Sequence, residues 1–435
     1  MKKVLVITYY WPPSGGAGVQ RILKFVKYLP QFGITPYVVT VDPGKASYPA
    51  YDETLINDIP SEAKVFTTGT FEPYELYSKF LGKKSIPTGF SNESKPSMFQ
   101  KFSRFVRGNF FIPDGRRGWI KHALRKSIEL IEKENIHTVL TTSPPHSAHL
   151  VGLKLKKKFN IKWTADLRDP WTDIYYYNEF HHTAFAKKLD LKFEREVLEN
   201  ADHIVTVSKS LKELFVLKSD LIDPSKIIVI PNGYDEDDFK IKSKRQNEFI
   251  ISYTGTMADS YNPNIFFDVL KTKVQKYPEV KFIIRFVGNP AASVIHYIEN
   301  IGLKNNLDLI PTVTHEKVTE YLLESTALLL VIPDIKNDKG ILTGKLFEYL
   351  AAKKSVICIG PEDGDAAQII NECEAGKTFD RNASARLEEY LDDLIKAWKK
   401  NASLDIQNEK YKKYSRRNQS KELARIISGD KIINT

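Results

Sequence analysis

The chain has 435 residues and a formal net charge of +10, from 64 Lys and Arg against 54 Asp and Glu. Between Leu76 and Ile128 twelve basic residues meet two acidic ones, Glu93 and Asp114, so this window carries the whole excess and the rest is formally neutral. A protein basic all over, of the kind that coats nucleic acid, is excluded, and with only Cys358 and Cys373 so is a disulfide scaffold or a cysteine-built zinc site.

The length exceeds the roughly 250–300 residues at which single cores stop growing, which predicts two domains of about 200 residues. A hydrophobic fraction of 42% is enough to build their cores. No apolar run reaches the roughly 18 residues of a membrane span. Met1-Lys2-Lys3 before Val4-Leu5-Val6-Ile7 is too short for a secretory leader, and Trp11-Pro12-Pro13 stands where a cleavage site would be. The chain reads as cytoplasmic.

In chain order the pattern is strand, then helix. Val4–Tyr9 is a β-branched run, and Val19, Ile22, Leu23, Val26 and Leu29 then recur at helical spacing until Gly33. Thr35–Val41, His137–Thr142, Trp163–Leu167, Ile204–Ser208 and Ile227–Ile230 continue as strands with helical stretches between. A second series follows the turn Pro231-Asn232-Gly233: Ile250–Thr254, Lys281–Val287, Leu307–Ile310, Ala327–Ile332 and Ser355–Ile359. Such alternation predicts an α/β chain with two Rossmann-like, doubly wound parallel sheets. The expected domains are 1–234, with an insertion at about 71–118, and 235–412; a last helix within 413–435 has no strand after it.

Ligands of doubly wound sheets bind past the carboxyl ends of strands, where helix N-termini offer free N–H groups. Four segments stand there. Pro12-Pro13-Ser14-Gly15-Gly16-Ala17-Gly18 has the glycines for close backbone approach, or is an ordinary flexible turn; it is not the dinucleotide spacing. Thr142-Ser143-Pro144-Pro145-His146 puts His146 near a helix start, as a catalytic or merely packed imidazole. Ala165-Asp166-Leu167-Arg168-Asp169-Pro170-Trp171 combines both signs of charge with an aromatic wall, which suits a hydroxyl-rich ligand; a buried ion pair closing a loop is the plainer reading. In Thr343-Gly344-Lys345-Leu346-Phe347-Glu348, Lys345 falls in a first helical turn, where a cation opposes the dipole unless an anion binds there. Glu348 shares its face, and an i,i+3 surface salt bridge would use the same spacing.

The string Lys345–Ala352, followed by Lys354-Ser355-Val356-Ile357, resembles the donor-binding segment of retaining GT-B-fold glycosyltransferases of the family-four type (glycosyl transferases group 1). The resemblance extends over nearly the whole chain: the Gly-rich first loop, Val207-Ser208-Lys209-Ser210, Ile230-Pro231-Asn232-Gly233, Tyr253-Thr254-Gly255-Thr256 and Phe286-Val287-Gly288-Asn289. It implies two domains facing across a cleft, sugar transfer from a nucleotide-sugar donor with retention, and a C-terminal helix crossing back to the first domain. It also implies roles. Lys345 contacts the nucleotide diphosphate, Glu348 the ribose, and Gly16 lines the diphosphate and sugar. Gly255 and Thr256 form a phosphate-side loop, and Val313 flanks the base. Thr343, Gly344, Leu346 and the Gly364-Asp365-Ala366 start complete the donor side.

Two positions depart from the family pattern. Gly340 stands where a second Glu often contacts the donor sugar, and Met257–Asn264 has no Lys or Arg for the phosphate, a task left to Arg285. Lys345 and helix N–H groups would stabilise the leaving diphosphate without a metal, no Asp pair of DxD type ends a donor-half strand, and no cofactor is expected. His146 and Asp169 are the catalytic candidates on the acceptor side, with Gly18, Arg168 and Trp171 as its wall. Closure across 233–247 would gate the reaction.

In the basic window, Met98, Phe99, Phe102, Phe105 and Val106 share one side of a helical wheel, and Gln100, Lys101, Ser103, Arg104 and Arg107 the other. This describes an interfacial helix on anionic lipid, with Phe99, Lys101, Phe102, Arg104, Phe105 and Arg107 in contact, or a helix packing its Phe face on the core. Lipid-linked acceptors in the resembled family favour the first reading. The expectation is thus a peripheral enzyme at the inner membrane face, adding sugar to a glycan or lipid-linked glycan in surface polysaccharide or lipopolysaccharide assembly, with no nucleic-acid partner. An epimerase of the same fold and a catalytically silent membrane- or glycan-binding subunit are the alternatives.

Overall fold

The computed structural model describes residues 1–72, 98–239 and 246–429. Residues 73–97 of the expected insertion, with Lys79, Lys83, Lys84 and Lys95, and 240–245 of the expected linker lie outside them, as do 430–435. The chain divides into two compact units: Met1–Pro231 with Arg416–Thr435, and Asn232–Ser415.

The first unit holds a seven-stranded parallel sheet in the order β3-β2-β1-β4-β5-β6-β7. Its strands are β1 (Lys2–Ile7), β2 (Ile34–Val41), β3 (Lys64–Thr68), β4 (Thr138–Ser143), β5 (Lys162–Leu167), β6 (His203–Thr206) and β7 (Ile227–Val229). Strand β1 is apolar without alternation because both of its faces are covered. Val4 and Val6 pack with Ile22, Leu23 and Val26 of α1 (Ala17–Tyr28) and with Leu423, Ile426 and Ile427 of the last helix, Arg416–Ser428. Leu5 and Ile7 pack on the opposite face with Ala123, Leu130 and Val151, from α3 (Ile120–Glu134) and α4 (Ser147–Lys158). Between α1 and α3 lies α2 (Met98–Phe110), and α5 (Ala184–Asn200) and α6 (Lys209–Val216) follow α4.

The second unit repeats the plan with six parallel strands in the order β10-β9-β8-β11-β12-β13. They are β8 (Phe249–Thr254), β9 (Phe282–Val287), β10 (Leu307–Ile310), β11 (Ala327–Val331), β12 (Ser355–Ile359) and β13 (Gly376–Phe379). Its helices are α7 (Asn264–Lys276), α8 (Ala292–Asn300), α9 (His315–Glu324), α10 (Gly344–Ala351), α11 (Asp365–Glu372) and α12 (Ser384–Lys399), and the last helix of the chain is α13 (Arg416–Ser428). Along β11, Leu328 and Leu330 face Leu346, Phe347 and Leu350, whereas Leu329 and Val331 join Phe266 and Leu391.

In each sheet the order reverses once, between β1 and β4 and between β8 and β11. Those two switch points are where the connections diverge and leave a crevice at the carboxyl ends of the strands.

Candidate functional site

In the second unit the crevice is bordered by the turn after β8 and the start of α10. Eight residues are too few for a helix to be stable by itself. Helix α10 is held because Leu346, Phe347, Tyr349 and Leu350 are buried, each burial worth ~1.5–3 kcal/mol for a large apolar side chain. The Tyr349 hydroxyl adds a bond to the Leu329 carbonyl at 3.3 Å and accepts from the Thr254 N–H at 3.2 Å. That anchoring leaves Lys345 and Glu348 on the remaining face. Leu346 has a fully buried side chain, so only its backbone can belong to a site, and its N–H already donates to the Thr343 carbonyl at 3.3 Å.

Lys345 lies over two aromatic rings, with Nζ 4.8 Å from the Tyr253 centroid and 5.8 Å from that of Tyr261. It also approaches the Thr256 carbonyl at 3.4 Å. Burial pulls its pKa down to about 8, against the upward effect of Glu348. Thr343 occupies the N-cap of α10 but makes no capping bond, and its Oγ1 is buried without a partner. The first N–H groups of a helix have no intrahelical acceptor. Together these offer an anion one cation, a hydroxyl and helix-start N–H donors.

The turn beside Lys345 depends on two glycines. Gly255 has φ +84°, and a Cβ there would come within 3.0 Å of Lys345 Cε. Gly288 has φ +130°, and a Cβ there would meet the Gly255 carbonyl oxygen at 2.7 Å. The strand ends can therefore lie side by side, with Met257 and Pro290 bridged beyond them.

Arg285 is not brought to this place. It lies within β9, where its guanidinium pairs with Asp308 at 2.7 Å and Glu324 at 2.9 Å over the Tyr321 ring. Two carboxylates already take its charge, which corrects the sequence expectation that it serves a phosphate. Val313 lies in the loop after β10, apart from these contacts. One side chain that the sequence did not single out is Arg381, which donates to the Ile332 carbonyl at 3.0 Å and pairs with Asp338 at 3.4 Å. It ties down the loop that leads to α10, but 49 positions separate it from Ile332, so no local pattern announces it.

In the first unit the crevice is built on a buried ion pair. Arg21 meets Asp166 at 3.0 Å with both side chains excluded from solvent. Thr142 donates to the same carboxylate at 2.8 Å, and Arg21 caps the carbonyls of Ile230 and Pro231 at 2.8 Å each. Two residues on, Arg168 Nε donates to the Ser143 carbonyl at 2.6 Å and Nη1 to the Gly18 carbonyl at 3.1 Å. One guanidinium thus fastens the glycine-rich loop, the end of β4 and the end of β5. Gly16 lies in that loop, at the start of α1.

Around this fastening several polar atoms have no partner: Ser14 Oγ, Ser143 Oγ and His146 Nδ1 are buried and unbonded. His146 stacks on Trp171 with ring centroids 4.3 Å apart and planes 11° from parallel. Burial holds its pKa well below the usual imidazole value, helped by His149 and Arg168, so it is neutral at pH 7. Burial raises the pKa of Asp169, Arg168 opposes that, and Asp166 adds to it. Trp171 itself is almost wholly buried. It backs His146 and does not itself form a wall of the crevice, as had been expected of it.

The basic helix departs from the core-packing reading of its Phe face, and from the membrane reading at Arg104. Arg104 points inward, 9% exposed, and pairs with Glu179 at 2.9 Å. Asn109 donates to the His181 carbonyl at 3.2 Å and accepts from the Thr183 N–H at 2.6 Å. Arg107 lies over the Phe180 ring at 5.3 Å. The helix is therefore attached by polar groups, while Met98 and Phe102 are 88% and 65% exposed and Phe105 and Lys101 are exposed as well. Arg104 is removed from the expected membrane contacts, because a buried paired guanidinium cannot reach a lipid surface. The segment after α2 is joined to the crevice: Asp114 accepts from the Ser147 N–H at 2.8 Å and its hydroxyl at 2.7 Å, capping α4 next to His146.

Two parallel doubly wound sheets, each with polar groups gathered at its switch point, define the class of protein with the GT-B fold. The sequence models of Glycosyltransferase Family 4 and of Glycosyl transferases group 1 match residues 87–238 and 235–414. The chain belongs to the GT-B glycosyltransferases of group 1. A glycosyltransferase from Rickettsia africae ESF-5 superposes with a TM-score of 0.60 at 16% identity, covering 99% of both chains. Anabaena HepE in complex with UDP gives 0.60 at 13% identity, over 99% of this chain and all of that one. At these identities the likeness is one of fold. The GPI3 subunit of phosphatidylinositol N-acetylglucosaminyltransferase from Saccharomyces cerevisiae is 26% identical over 174 residues, 38% of each protein. The match thus spans well under half of that relative. Among the described residues no helix is long and apolar enough to cross a membrane.

Proposed function

We propose that the protein transfers a sugar from a nucleotide-sugar donor to a hydroxyl of a glycan or lipid-linked glycan, with retention at the anomeric carbon, in surface polysaccharide or lipopolysaccharide assembly. The observation that carries the reading is Lys345, half-buried in the first turn of α10 over the Tyr253 ring, where burial disfavours its charge and Glu348, three residues on, favours it. A diphosphate supplies what that turn lacks. As the bond from C1 to the diphosphate oxygen breaks, negative charge grows on the leaving group, and Lys345, Thr343 and the helix N–H groups are pre-oriented to stabilise it. No metal or cofactor enters this account.

The first unit would receive the acceptor. Its hydroxyl oxygen bonds C1 and its proton passes to a base; Asp169, whose carboxylate is kept basic by burial, fits that task, and neutral His146 serves as a hydrogen-bond partner. UDP bound by HepE and the phosphatidylinositol named for the yeast relative support a nucleotide donor and a lipid-borne acceptor. The exposed Met98, Phe102 and Phe105 with Lys101 support docking of α2 on an anionic membrane.

Calorimetry with a panel of nucleoside diphosphates, followed by product analysis with the matching nucleotide sugars, tests the reading. Binding that is the same in wild type and Lys345→Ala, or release of an epimerised nucleotide sugar in place of transfer, would overturn it.

A further inference from the structure

Beneath the stacked pair His146 and Trp171 lies a buried carboxyl group that the proposed chemistry does not use. Asp190 sits in the second turn of α5, 3% exposed. Its Oδ1 accepts from Trp171 Nε1 at 2.8 Å and its Oδ2 from the Tyr177 hydroxyl at 2.9 Å, both bonds buried. No basic side chain pairs with it among the described residues. Its neighbour Glu194 is equally buried, but that carboxylate has Lys218 at 3.0 Å and the Thr172 hydroxyl.

A buried carboxyl held only by neutral donors is costly, and an apolar residue of similar volume would serve packing at least as well. The cost fits a requirement for direction. An indole has a single N–H, in the plane of its ring, so one acceptor held on a rigid helix sets the rotation of that plane. The Trp171 plane in turn is the surface against which His146 lies at 11° and 4.3 Å. Asp190 is itself prevented from turning by the Tyr177 bond on its other oxygen.

We propose that Asp190 is a positioning residue, which orients the His146 imidazole through the plane of Trp171. It touches neither substrate nor reacting atoms. The inference rests on the reading of His146 as an acceptor-side group, yet the orientation itself is a separate, measurable property.

The experiment uses the full-length chain with selectively labelled histidine. Ring current from Trp171 shifts the His146 carbon-bound protons upfield, assigned by His146→Gln. In Asp190→Leu these resonances move toward the positions of solvent-exposed histidines. In Asp190→Asn, which keeps an acceptor for the indole N–H, they stay near wild type. In the transfer assay Asp190→Leu lowers kcat at least tenfold with the donor KM within twofold, Asp190→Asn restores most of it, and Trp171→Phe adds little to Asp190→Leu. Unmoved His146 resonances in a folded Asp190→Leu protein would overturn the positioning role, whatever the assay gives. If the resonances move as stated but no variant, nor His146→Gln, alters transfer, the positioning stands and the reading of His146 is what fails.

Discussion

Lys345 Nζ lies 4.8 Å from the centre of the Tyr253 ring, so this cation of the second unit's crevice rests on an aromatic face that a bound anion would replace. A cation over a ring is worth ~0.5–2 kcal/mol, less than the ~1.5–3 kcal/mol of a charged hydrogen bond. The exchange therefore favours the diphosphate. Lys345→Ala should weaken nucleoside diphosphate binding about 10- to 100-fold by calorimetry, and Glu348→Ala should weaken nucleoside diphosphates but leave inorganic diphosphate unaffected.

The same lysine predicts a proton signature. Its pKa stands at about 8 in the free protein, below the ordinary value of 10.5, and a bound diphosphate raises it. The share of proton uptake that belongs to Lys345 should be about half a proton on binding at pH 8 and almost none at pH 6. Calorimetry in buffers of different ionisation enthalpy measures this uptake, and Lys345→Ala should abolish it. The stability effect has the matching sign. A lysine with a depressed folded-state pKa opposes folding when charged, so its contribution improves as pH rises from about 8 to 10.5.

Arg21 and Asp166 form a fully buried pair at 3.0 Å. Removal of one partner leaves the other charge stranded, at a cost of about 3–5 kcal/mol. Arg21→Met should lower the urea midpoint of the first unit accordingly. An unchanged midpoint would mean that water reaches Asp166.

Gly288→Ala puts a methyl group 2.7 Å from the Gly255 carbonyl oxygen at a φ that side chains avoid. The turn beside Lys345 must shift. Nucleotide affinity should drop at least fivefold while circular dichroism of the fold is retained.

For the basic helix, vesicles containing anionic lipid should retain the wild type in flotation. Phe102→Ser with Phe105→Ser should release it, and Lys101→Glu should weaken retention mainly at low salt. Equal flotation of all variants would end the membrane reading of α2.

Strands buried on both faces were legible because an apolar run such as Val4–Ile7 has no other explanation in an α/β chain. The edge strands β3 and β13 were not, since Lys64–Thr68 and Gly376–Phe379 bury only part of their surface and show no apolar run. That Lys345 and Glu348 share the open face of a helix start was legible from the spacing of the string around them. Arg381, Asp114 and Asp190 were not. Each acts on a residue brought near by folding, so nothing beside them in the chain marks the partner.

Thus the periodicity of apolar residues determined two parallel α/β sheets, and the charge count assigned the whole +10 to one window. Both are properties of nearest neighbours along the chain, which is why they can be read there. Tertiary structure alone decided where the charges point. A helical wheel separates Arg104 from the phenylalanines but cannot say which side meets the protein. Glu179, 75 residues away, turned the arginine inward and left Phe102 and Phe105 exposed.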